Sequence, residues 1–139
     1  MHFMIPALAA LLSAQEPGNR PETVARGKLQ GTWKLVKAEH DGREVRGVDA
    51  KLIIRGQTLT VVENKKPGES DEIVLRSDKS PKYFDVKVRS GVNAGKTCLG
   101  IYEIQGNCLK LCQTQAGRDR PTVFSSENQN NILFLEKEE

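Results

Sequence analysis

Few residues in this 139-residue chain carry side chains that could do chemistry, and their spacing decides what each could do. Ser90-Gly91-Val92-Asn93-Ala94-Gly95-Lys96-Thr97 approaches a phosphate-binding loop, G-x-x-x-x-G-K-[ST]. It is one residue short, with Ser90 where the first glycine is required. The strand-like CLGIYEI follows where the pattern needs a helix N-terminus to hold phosphate. The stretch therefore reads as a hairpin loop. His2 and His40 are the only histidines, and His40 has no Cys or carboxylate at ligand spacing, so no metal site is expected. Cys98 could point inward near Tyr102, but a nucleophilic thiol needs a base within hydrogen-bond reach, and no histidine sits in a strand able to face it. A packed, inert thiol is the expectation. The carboxylate pairs Glu39/Asp41 and Asp71/Glu72 fall at turns and strand starts, whereas paired acid–base work needs two inward carboxylates. No catalytic residues and no cofactor are expected.

The elements that must position these residues are clearest from Lys96 to Cys112, KTCLGIYEIQGNCLKLC. Gly106-Asn107 between two apolar-rich arms is a type II′ hairpin signal. With those two residues in the turn, Gln105 faces Cys108, Ile104 faces Leu109 and Tyr102 faces Leu111. One face then carries Gly100, Tyr102, Ile104, Leu109 and Leu111, and Glu103, Gln105, Lys110 and Gln113 are assigned to the other. Alternation in register on both arms predicts a half-buried antiparallel hairpin.

The rest of the chain repeats that grammar. Pro21–Gln30 is read as one or two helical turns ended by Gly31. Gly31–His40 alternates as a strand, Asp41-Gly42 is a turn, and REVRGVDA is a loop or short edge strand. Lys51–Arg55 and Thr58–Glu63 are strands around Gly56-Gln57, and Pro-Gly in NKKPGES marks a turn. Asp71–Arg76 is a short strand. Lys82–Arg89 is the cleanest alternation, with Phe84, Val86 and Val88 inward and Tyr83, Asp85, Lys87 and Arg89 outward. Thr122–Phe124 is read as a short strand after a polar stretch. Ile132–Glu136, continuously apolar, is a final strand buried on both faces or closing a barrel. The fold class expected is all-β, about eight strands in an antiparallel meander with a short N-terminal helix. Closing into a barrel removes exposed sheet edges, and a two-sheet sandwich is the competing arrangement.

Composition fits a single globular domain, 37% hydrophobic and 28% charged. The net charge of +3 is spread over interleaved acids and bases, which leaves no basic footprint for nucleic acid. Residues 1–14 resemble a signal peptide. The apolar run Phe3–Leu12 is too short to span a bilayer, so no stable membrane insertion is expected. The run is followed by Ser13 and Ala14, although the segment before it has no Lys or Arg. That reading predicts export to a periplasmic or extracellular location. The alternative is a frayed extension or misassigned start, with a cytoplasmic protein. Residues 15–28 form an N-terminal extension and 29–139 the barrel domain. Cys98, Cys108 and Cys112 are an odd set; Cys108 and Cys112, four apart on one strand, are separated by about 13 Å, so three free thiols are expected. Free thiols suit a reducing compartment, which pulls against export.

Gly31-Thr32-Trp33 at the start of the first strand, just after the short helix, matches the G-x-W signature of lipocalins. LQGTWKLVKAEHDGREV, GKTCLGIYEIQGNCLKLC and GRDRPTVF together resemble a lipocalin-like domain family of unassigned function, common in planctomycete bacteria. The resemblance runs from Leu29 to the C-terminus. It implies a barrel related to the calycins, whose better-known members carry small apolar ligands. The chain differs from true lipocalins in its short length and in having Lys137, not an Arg, nearest Trp33 on the last strand. The residues expected to line the interior are Trp33, Leu52, Ile54, Leu59, Val61, Phe84, Val86, Tyr102 and Leu111. An eight-stranded barrel is either filled by such side chains or holds one small ligand, and a void of about 300 Å³ or more would mark a ligand site. The functional expectation is an exported, non-enzymatic protein binding a small apolar or amphipathic ligand. The alternative is a ligand-free barrel serving as an interaction or scaffold module. Tyr102, once buried, needs a hydrogen-bond partner, so it should lie near the mouth or meet the ligand.

Overall fold

A computed structural model describes residues 21–138. The signal-peptide reading of residues 1–14 and the first part of the 15–28 extension lie outside them. The helix α1 spans Pro21–Leu29. Ten strands follow: β1 Gly31–His40, β2 Arg43–Val45, β3 Ala50–Arg55, β4 Thr58–Glu63, β5 Lys66–Arg76, β6 Lys82–Lys87, β7 Thr97–Cys98, β8 Gly100–Gln105, β9 Cys108–Gln113 and β10 Asn131–Lys137.

Eight strands make an antiparallel closed barrel, in the order β10-β9-β8-β6-β5-β4-β3-β1, with β10 pairing back to β1. The seam runs from Trp33↔Lys137 to His40↔Asn131 and settles barrel against sandwich. The short β2 extends the sheet beside the second half of β1, and β7 pairs β6. The hairpin of β8 and β9 has the expected register, Gln105↔Cys108, Ile104↔Leu109 and Tyr102↔Leu111. Gly106 takes φ 59° in its turn, a value open to glycine at little steric cost. The final strand does both things expected of it. It closes the barrel, and it buries Leu135 inside and Ile132 outside.

Three readings are corrected. The turn between β4 and β5 is not at Pro67-Gly68 but at Asn64-Lys65, whose φ values of 51° and 67° suit a two-residue hairpin turn following strand twist. Pro67 and Gly68 lie inside β5, where Thr60↔Ser70 gives way to Val62↔Pro67 with one extra residue. A bulge tolerates a proline that cannot donate to the ladder. Thr122–Phe124 forms no strand. Gln113 belongs with Leu109 and Leu111 on the inner face, because it stands opposite Gly100 as Leu111 stands opposite Tyr102. Residues two apart share a face.

The inner core joins Trp33, Ile54, Phe84, Leu109, Leu111 and Leu135 with the helix residue Leu29. A second core lies on the outside of the barrel, where Ile101, Cys112 and Ile132 are buried beneath Tyr83, Phe124 and Phe134. It exists because the irregular segment 114–130 folds back across β8, β9 and β10 as a strap.

Candidate functional site

The two ends of the barrel differ. At one end, α1 delivers Leu29 to the core, and its carbonyl accepts the Trp33 indole N–H at 2.8 Å. Gln30 pairs with the backbone of Gly56 in the β3–β4 turn through both ends of its amide, at 2.6 and 3.1 Å. The Lys137 ammonium stands 5.6 Å from the Trp33 ring, where a cation meets the aromatic face favourably. This end is plugged.

The other end is open. A cavity of about 190 Å³ lies among Leu35, Ala38, Val48, Ala50, Leu52, Leu59, Val61, Leu111, Leu133 and Leu135, with Lys51, Glu63 and Gln113 completing its wall. The β1 bulge helps shape it. The register slips between Leu35 and Lys37, leaving Val36 exposed and turning Ala38 inward. Lys51, the cation among these residues, is held by Glu138 at 2.9 Å.

All nine residues read from sequence as lining the interior meet in one cluster, Val61 as a partly buried neighbour of the rest. They separate by depth. Leu52, Leu59, Val61 and Leu111 border the cavity, while Trp33, Ile54, Phe84, Val86 and Tyr102 do not and fill the barrel below it. The void is smaller than the 300 Å³ looked for. It is similar in size to an enclosed apolar cavity of about 150 Å³ that takes up benzene, but opens at the barrel mouth. Leu35, Ala38, Leu133, Leu135 and Gln113 were missed as wall residues, although strand parity alone places Gln113 there.

Two polar atoms inside the barrel have no partner. The Tyr102 hydroxyl is buried and unbonded, its ring edge-on to Phe84 with centroids 6.0 Å apart. Burial pushes the pKa of its hydroxyl up. The Gln113 amide nitrogen is likewise covered and unbonded. Its stem lies against Gly100, where an added Cβ would come 2.8 Å from Gln113 Cγ and 2.6 Å from the Phe84 carbonyl oxygen. Only glycine leaves room there.

Outside, the strap is latched at Arg120. Its guanidinium donates to both Asp85 carboxylate oxygens and, at 2.8 Å, to the Gly100 carbonyl, and lies 3.5 Å from the Tyr83 ring centroid. The hydrogen bonds to Asp85 hold the Arg120 ionisation above its ordinary value. Asp85 also accepts the Gly100 N–H at 3.2 Å. At the far end Ser126 accepts from Gly42 N–H and donates to Glu39, so the strap reaches the β1–β2 turn across the closing seam.

The three thiols are free, at three depths: Cys108 exposed, Cys98 half-buried against the inner core and Cys112 buried in the outer one. Cys112 lies under the strap, 3.4 Å from the Ser125 carbonyl oxygen. Burial pushes the pKa of the Cys98 and Cys112 thiols up, for Cys98 with a smaller push from Asp71. Neither is an activated nucleophile. The segment at Gly91–Lys96 is a loop between β6 and β7, where Gly95 N–H donates to the Val88 carbonyl. His40 pairs with Asn131 at 2.7 Å. Among the described residues no three His, Cys, Asp or Glu side chains gather as a metal site. No described helix is long and apolar enough to cross a membrane.

Comparison with protein-family models, with curated proteins and with solved structures finds no match.

Proposed function

We propose that this chain is a lipocalin-like, non-enzymatic binding protein that takes one small, uncharged apolar molecule into the open end of its barrel. The observation that carries this reading is the apolar cavity of about 190 Å³ at the unplugged end. The lipocalin-like reading is supported by Trp33 at the start of β1, with Lys137 of the last strand over its ring. The volume suits a single ring or short aliphatic chain. A long acyl tail would have to displace Phe84 and Tyr102. With Lys51 engaged by Glu138, the wall offers no spare cation to neutralise a carboxylate. Export rests on the N-terminal sequence and belongs to the same proposal.

Trp33 sits at the plugged end, so its fluorescence is a poor reporter of the mouth. Methyl NMR of Leu, Val and Ile side chains during titration with benzene, cyclohexanone and hexanol is the direct test. Saturable shifts at Leu52, Val61, Leu111 and Leu133 are expected. No saturable shift with any of them would overturn carriage.

A second reading is favoured by the filled lower barrel, where Trp33, Ile54 and Phe84 are fully buried. A packed barrel presents loops on a rigid frame and serves as an interaction module. That reading gains if no mouth methyl responds.

A further inference from the structure

We infer that the ligand of the open end carries a hydrogen-bond acceptor, such as a ketone, ester or ether oxygen, and that Gln113 selects for it. This rests on the carriage reading above and names the chemical class of what is carried.

The cavity is walled by aliphatic side chains, and these discriminate poorly between molecules of equal shape. Polarity enters the wall at three residues. Lys51 is engaged by Glu138, and Glu63 stands at the exposed rim where β4 ends. Gln113 alone of the three brings a buried donor with no acceptor, its amide nitrogen. An unmet buried donor is costly to the empty protein, and an incoming acceptor that meets it recovers that cost. The amide turns about one soft terminal torsion, so its nitrogen can swing to a molecule in the cavity without moving the strand. Gly100 makes the placement possible, since its missing Cβ leaves the space that the Gln113 stem occupies. A hydrocarbon of the same shape would leave the donor unmet. A carboxylate would meet it but bring a charge that no free cation balances.

The test uses three probes with the same ring, namely cyclohexanone, methylcyclohexane and cyclohexanecarboxylate, against the full chain by methyl NMR. The native chain should bind the ketone about tenfold more tightly than a Gln113→Met variant does, the size of effect one hydrogen bond gives, and should bind the carboxylate more weakly than the ketone. Gln113→Met keeps an unbranched stem over Gly100 and should weaken the ketone relative to the hydrocarbon by that factor. Gln113→Leu serves the same purpose should the Met variant fail to fold. A ketone-to-hydrocarbon affinity ratio that the loss of Gln113 leaves unchanged, or tightest binding of the carboxylate, would overturn the inference with carriage intact. Absence of binding by all three probes would overturn carriage itself, and the inference with it.

Discussion

The barrel has two cores, and they are built on different principles. The inner one is assembled by alternation, every second residue of eight strands converging on Trp33, Phe84 and Leu111. The outer one is assembled by a strap without regular structure, which brings Phe124 down beside Ile101, Cys112 and Ile132. Inside, the register of the sheet does the positioning. Outside, that work falls to individual polar contacts, chiefly Arg120 with Asp85 and Ser126 with Glu39. The inner core should therefore fail as a unit, while the outer one can open piecemeal.

The largest effect should come from Phe84→Ala, which removes a fully buried ring and lowers unfolding free energy by about 3–5 kcal/mol. Urea unfolding followed by Trp33 emission measures it, and a loss under about 1 kcal/mol would mean the interior is loosely packed. Ile101→Ala is the matching cut outside. If the strap seals a true core, it costs about 2–5 kcal/mol, as internal isoleucines do. A negligible loss would show the strap merely draped over the sheet.

Arg120→Ala should cost less, about 1–2 kcal/mol, because the pair is only partly withdrawn from water. Its diagnostic effect is local. Cys112 should become reactive to a thiol reagent while Cys98 and the Trp33 signal stay unchanged. Simultaneous exposure of both cysteines would merge the two cores into one cooperative unit.

Alkaline pH probes both at once. The folded chain keeps Cys98, Cys112 and Tyr102 protonated to higher pH than the unfolded chain does. The stability they contribute is present below the ordinary thiol range and drains as pH rises through their raised values. Urea midpoints at about pH 7 and about pH 9.5 should show the loss, and a Cys98→Ala/Cys112→Ala variant should show less of it. The smallest effect is Tyr102→Phe, which deletes a buried hydroxyl with no partner. Stability should hold or rise by up to about 1 kcal/mol. A clear loss would reveal a bonded hydroxyl.

The contrast between the cores also marks what the sequence could say. Alternation is local, so the β8–β9 register, the inward set of β6 and the closing role of β10 were all legible. Gln113 was legible too, since it stands two residues beyond Leu111, but its polarity drew it to the wrong face. The Pro67-Gly68 turn misled because the bulge that accommodates them in β5 depends on the partner strand. The strap was hidden for a deeper reason. Its residues follow no period, and their partners, Asp85, Gly42 and Glu39, lie 35 to 87 positions away. Polar composition describes such a stretch equally well whether it packs or not. The cavity was hidden likewise, as its volume depends on how far large side chains fill the barrel.

The β1–β10 seam ties the first strand of the chain to the last. The last strand supplies two joins of the ring, to β9 and to β1, and both wait for residues 131–137 to be available. Until then the growing polypeptide is a curled ribbon with two raw borders, open to pairing with another such ribbon. Molecules cut short before Asn131 should therefore find each other instead of closing on themselves, because the seven residues of β10 are what give both borders a partner within the same chain.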